Sequence, residues 1–75
     1  MTDIATALRQ ACQPDTGGLA RPDAELLMAH VLDKPRTWLY AFGDVVLNAA
    51  QQVAFADLAA RRRAGEPVAY LTGRR

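Results

Sequence analysis

Seventy-five residues, 51% apolar and 7% aromatic, allow one domain with a thin core and exclude a disordered tail. Nine basic against eight acidic side chains leave a net charge of +1, a poor footprint for a dedicated nucleic-acid binder, so no direct nucleic-acid contact is expected. The single cysteine, Cys12, excludes an intramolecular disulfide or a cysteine-built zinc site and fits a reducing cytoplasm. Residues 1–13 lack the basic start and apolar core of a signal peptide, and no apolar run nears the roughly 20 residues of a membrane span.

Thr2 is the expected N-cap of a first helix over about residues 3–13, with Asp3 favoured in its first turn by the helix dipole. Ile4, Ala5, Leu8, Ala11 and Cys12 recur at three and four and make one face. Pro14 ends this helix, and Asp15-Thr16-Gly17-Gly18 is a turn.

"PDAELLMAHVL", residues 22–32, is the clearest helix. Pro22 suits its first turn, and Asp23 and Glu25 complement the dipole there. Ala24, Leu27, Met28 and Val31 form the core stripe, with Leu26 and His30 together on the opposite side. A second apolar contact or a partly exposed back face is therefore expected. Asp33-Lys34-Pro35 breaks this helix, and "RTWLYAFG" gives a short third one that turns Trp38, Leu39 and Phe42 inward, with Gly43 as a left-handed C′ residue.

Asn48 caps a fourth helix over about residues 49–64, ended by Gly65 and Pro67. Phe55, Leu58, Ala54 and Ala59 form its inner face, Leu47 is the entry contact, and Arg61, Arg62 and Arg63 favour the negative end of its dipole. The stem of Arg62 is expected over apolar surface with its guanidinium at the edge, and Arg63 and Glu66 are placed to pair across the turn. Residues 67–71 could start a strand, since Val68, Tyr70 and Thr72 alternate. Pro67 at a first position favours one more helical turn, and the expected fold is all-α: a small bundle of four main helices plus a short fifth.

Residue types that carry chemistry are sparse. His30 has no Cys, Asp or Glu at i+4 to complete a metal pair, and Cys12 belongs to an amphipathic face. Asp23 and Glu25, two apart on a helix, do not face one another. Gly17-Gly18 follows no strand and precedes no phosphate-binding pattern. No catalytic, cofactor or metal residue is expected. The arginines stand out: residues 61–75 hold five basic and one acidic side chain, residues 1–60 four and seven. A solvated helix end accounts for them, as does a surface for an acidic partner, a neighbouring domain or an RNA backbone.

"PDAELLMAHVL", "RTWLYAFGD" and "LAARRRAGEPVAYLTG", in that order and at those distances, resemble the N-terminal domain of the release-factor glutamine methyltransferases, the HemK/PrmC family. The resemblance covers residues 20–73 and is most specific in the last stretch, matched by Arg62, Arg63, Gly65, Glu66, Pro67, Tyr70, Thr72 and Gly73. It implies that residues 1–75 are a substrate-recognition domain cut from a longer cytoplasmic enzyme. That enzyme would transfer a methyl group from S-adenosylmethionine to the Gly-Gly-Gln glutamine of peptide chain release factors. Its cofactor and catalytic motifs would lie downstream, so these residues alone are expected to transfer no methyl group. The implied partners are the release factor and the enzyme's own C-terminal catalytic domain, with the chain a monomer. Arg62, Arg63 and Glu66 are the candidate partner or interdomain contacts. Tyr70 joins them as a residue expected to pack with its hydroxyl bonded. The rival expectation is a stand-alone helical adaptor or nucleic-acid module using the C-terminal arginines.

Overall fold

In the computed structural model, which describes residues 2–14 and 18–73, the chain forms α1 (Ile4–Ala11), α2 (Arg21–Leu32), α3 (Arg36–Ala41), α4 (Ala49–Arg63) and α5 (Val68–Leu71). The four helices and short fifth expected from the sequence are present, and the segment after Pro67 is helical. The described residues contain no strand, only an isolated antiparallel bridge between Asp3 and Val46. Residues 15–17 of the expected turn at 15–18, Met1, and the terminal Arg74 and Arg75 lie outside the described residues.

The start of α1 differs from expectation by one residue, for a nonlocal reason. Asp3, not Thr2, is the N-cap: the Thr6 amide donates to its Oδ1 at 2.7 Å. Thr2 is engaged elsewhere, its carbonyl accepting from the Leu47 amide at 2.9 Å. The Ile4 amide donates to Val45 O and the Ala5 amide to Gly43 O, while Ala7 closes the first turn onto Asp3 O. The amides of Ile4, Ala5 and Thr6, which a helix start leaves without intrahelical partners, are thus satisfied, two of them by residues 43–45. The buried stripe is Ile4, Ala7, Leu8 and Ala11; Ala5, expected inside, is exposed.

α2 is the central element, packed against each of the other four helices. Its inner face, Ala24, Leu27 and Met28, is fully covered. Asp33 ends it in the left-handed region at φ 56°, with the Lys34 amide reaching back to Ala29 O at 3.1 Å. In α3 only Leu39 is buried. Phe42 is 44% exposed and stacks on half-buried Trp38, their ring centroids 4.7 Å apart. A helix of six residues covered on one side cannot turn three large side chains inward at once. Gly43 does not take the left-handed cap, because Phe42 ends α3 at φ −123°.

α4 opens on a capping box. The Gln51 amide donates to Asn48 Oδ1 at 2.7 Å, and the Asn48 amide to Gln51 Oε1 at 2.9 Å. Phe55 and Ala59 are its buried residues, Leu58 is half-buried, and Ala54, expected inside, faces solvent. Gly65 at φ 105° turns the chain after Ala64, as its C′ position predicts. Gly18 answers a different need: a Cβ there would lie 2.7 Å from the Cys12 carbonyl oxygen. The core joins Ile4, Leu8, Leu27, Met28, Leu39, Leu47, Phe55 and Leu71, so every helix contributes to one cluster.

Candidate functional site

The basic C-terminal corner is built where α4 ends against α1, α2 and α5. Because Gly65 reverses the chain, the Glu66 amide reaches Arg61 O at 3.2 Å and its side chain comes to lie beside Arg61. The Arg61 guanidinium then holds the carboxylate with both faces of its fork, Nε to Oε2 at 2.9 Å and Nη2 to Oε1 at 3.1 Å. That hydrogen bonding holds the Glu66 carboxyl below its usual range. The expected Arg63–Glu66 pair is therefore corrected: the turn geometry hands Glu66 to Arg61.

Arg62 bridges α4 to the first turn of α2, with Nε 3.2 Å from Asp23 Oδ2, and its Nη1 also donates to the Glu66 carbonyl at 3.3 Å. It is half-buried, as its expected place at the core edge requires. Arg63 turns the other way and donates from Nη2 to the Ala11 carbonyl at 3.3 Å, covering the C-terminal end of α1. Beside it a groove of about 340 Å³ runs between α1 and α4 over Ala7, Phe55 and Leu47.

Tyr70 departs from its expectation. It is 70% exposed on α5, and its hydroxyl makes no hydrogen bond among the described residues. The four candidates thus share one corner but not one site. Arg62 and Arg63 join helices, Glu66 is clamped, and Tyr70 is displayed.

Sequence reasoning missed a second charged centre. Glu25, assigned there to dipole complementation, is 4% exposed. Its Oε2 accepts from Arg21 Nε at 3.0 Å, and its Oε1 from Arg36 Nη2 at 2.9 Å and from the Tyr40 hydroxyl at 2.7 Å. Burial pushes the Glu25 carboxyl up, but the bonds from Arg36, Tyr40 and Arg21 outweigh it and lower the pKa to about 2. The i,i+4 spacing of Arg21 and Glu25 was the one legible signal. Arg36 and Tyr40 lie eleven and fifteen residues further on. The Arg36 Nε is buried without an acceptor.

Arg36 also belongs to a larger groove, about 520 Å³, between α2, the start of α3 and α5. His30 and Leu26 line it, so the back face expected on α2 is real and is partly covered by Val68 and Ala69 of α5. Lys34 stands at its edge, Nζ 5.6 Å from the Trp38 ring centroid. Among the described residues no group of three or more His, Cys, Asp or Glu side chains is arranged to hold a metal ion. None of the helices is long and apolar enough to cross a membrane.

Fold and site together define a small all-α domain in which Arg62, Arg63 and Glu25 join helices and the α1–α4 and α2–α3–α5 grooves stay open. It belongs to the family of the PrmC N-terminal domain, whose model matches residues 3–73. Three similar proteins each carry the name release factor glutamine methyltransferase. That of Salmonella typhimurium is 53% identical over 55 residues, 73% of this chain and 20% of its own length. That of Xylella fastidiosa is 48% identical over 60 residues, covering 80% and 22%, and that of Pseudomonas aeruginosa 42% over 73 residues, covering 97% and 26%. The chain thus spans about a fifth to a quarter of the length of these relatives. No solved structure matches it.

Proposed function

We propose that this chain is the release-factor-recognition domain of a larger, cytoplasmic, S-adenosylmethionine-dependent methyltransferase. The enzyme modifies the side-chain amide of the Gly-Gly-Gln glutamine in peptide chain release factors. The observation that supports this reading is the family match over residues 3–73, joined to relatives of that name several times the length of the chain. The described residues offer no strand leading through a glycine-rich turn into a helix, the cradle a nucleotide-like cofactor needs. They do not fit S-adenosylmethionine, and the cofactor is assigned to the rest of the enzyme. The work left to this domain is binding and orienting, which lowers the entropy cost of bringing a protein substrate to a distant reacting centre.

The test is methyl transfer from labelled S-adenosylmethionine to a purified release factor by the full-length enzyme carrying this domain. Deleting residues 1–73 should raise KM for the release factor far more than it lowers turnover of a short Gly-Gly-Gln peptide. The isolated chain should transfer nothing. Methyl transfer by the isolated chain, or an unchanged KM after the deletion, overturns the proposal.

A further inference from the structure

The groove between α2, α3 and α5 has an apolar floor and a rim of one sign. Leu26 and Ala29 from α2 and Val68 and Ala69 from α5 form the floor; among the described residues His30, Lys34 and Arg36 are its titratable lining groups. No carboxylate among the described residues lines it. Asp33, next to Lys34 in sequence, is not part of the wall, and Glu25 is buried, bonded to one nitrogen of Arg36. Arg36 keeps an open side of its guanidinium beyond that bond: its side chain is 41% exposed, although its Nε is buried out of a partner's reach. The C-terminal corner is the opposite case, since Arg61, Arg62 and Arg63 each already donate to an acceptor within the domain.

From this charge pattern we infer that the α2–α3–α5 groove docks an acidic segment of the partner protein. One or two aliphatic side chains enter between Leu26 and Val68, and flanking Asp or Glu carboxylates meet Lys34 and Arg36. The inference rests on the reading of this chain as the release-factor-recognition domain, which makes the release factor the owner of that segment. The mode is that of an apolar anchor in a groove with charges at the rim, where the anchor supplies affinity and the charges supply register and on-rate. Single-stranded nucleic acid is the less suited occupant, because the groove offers no aromatic platform for stacking bases.

The test is amide-shift mapping of the isotope-labelled 75-residue chain. The probe is a synthetic dodecapeptide with leucine and glutamate at helical spacing, and its glutamine-for-glutamate twin is the control. Shifts should gather at Leu26, His30, Lys34 and Ala69, spare Val53 on α4, and weaken as salt rises. Lys34→Glu, at an exposed position, should reduce affinity about fivefold or more with the melting temperature unchanged. Ala69→Glu, also exposed, should abolish binding by placing a carboxylate in the floor.

Equal binding of the glutamine twin, shifts centred on the α1–α4 groove, or full affinity in both variants overturns the inference. So does a short single-stranded RNA that perturbs the same amides more strongly than the peptide. Full-length release factor, titrated in parallel, separates this inference from the reading beneath it. Binding of the factor equally to wild type and Lys34→Glu sinks the groove and leaves the reading standing. Peptide binding at the groove with no response to the factor does the reverse.

Discussion

Replacing Glu25 by glutamine removes one negative charge from the most enclosed polar cluster in the domain, and the consequence should depend on pH. In the folded protein the Glu25 pKa is lowered from 4.5 to about 2. A depressed pKa means that the folded state favours the ionised form. The stabilisation is therefore complete above pH 4.5 and is lost as pH falls from there towards 2. Taken at face value this shift is worth about 3 kcal/mol. The side chains of Arg21 and Arg36 are 51% and 41% exposed, so solvent screens the pairs, and about 1–2 kcal/mol is the realistic figure. For a domain this small that corresponds to roughly 5–15 °C in melting temperature at neutral pH. Urea unfolding followed by helical circular dichroism and Trp38 fluorescence, run for both proteins between pH 2 and pH 7, measures the gap. It should be widest above pH 5 and should close towards pH 2, where wild-type Glu25 also takes up a proton. Asp3 and Glu66, whose carboxyls are likewise held low, titrate in both proteins and cancel in the difference. A gap of constant size across this range would refute the reasoning, because the carboxylate charge would then not be its source.

Three further perturbations test other parts of the account. Asn48→Ala removes one half of the capping box and should cost about 1 kcal/mol in urea denaturation, whereas Asn48→Ser should cost little. Asp33→Val puts a β-branched residue at φ 56° and should destabilise by about 1–2 kcal/mol, while Asp33→Gly relieves the backbone and should be close to neutral. Tyr70→Ala should leave the melting temperature within the scatter of surface substitutions, about 0.5 kcal/mol, and any defect it causes should appear as weaker release-factor binding. Arg63→Ala should behave in the opposite way, losing about 1 kcal/mol of stability with its bond to Ala11 and altering affinity little.

Legibility in the sequence followed how local each determinant was. Pro22, the Asn48 cap, and Gly65 followed by Pro67 act within one turn of the chain, and the helices they delimit appear where expected. The start of α1 was harder, because Thr2 and Asp3 both qualify as caps. The choice is made by residues 43–47, which occupy the backbone groups of Thr2, Ile4 and Ala5 from far along the chain. Helical spacing finds a possible inner face for α3 but not what lies opposite it, so Phe42 was placed inside although its ring rests on Trp38 at the surface. Glu25 was hidden for the same reason: only its contact to Arg21 is local, and Arg36 and Tyr40 arrive through the packing of α3 on α2. Glu66 found Arg61 and not Arg63 because a left-handed glycine, and not helical periodicity, decides which side of α4 the returning chain meets.

A side chain whose donors are already satisfied within the domain must give up a bond before it can hold a partner, and each such bond is worth about 0.5–1.5 kcal/mol. Arg62 would have to release Asp23 or the Glu66 carbonyl, loosening α4 from α2. Arg63 would have to uncover the end of α1. In a domain with a thin core, losses at the joins between helices take a large share of the total stability. The arginine triplet is therefore better suited to fixing the relative positions of the helices than to exchanging partners. Groups with capacity to spare lie elsewhere: Lys34 and the exposed part of the Arg36 guanidinium at the α2–α3–α5 groove, and the ring and hydroxyl of Tyr70 on the outer side of α5. α5 carries both Tyr70 and part of the groove floor, and it meets α2 and α4, the two helices that Arg62 ties together. On the proposed reading the arginines would act on recognition at one remove: by holding α4 and the turn after it, they set the position of the short helix α5, which carries Tyr70 and part of the groove.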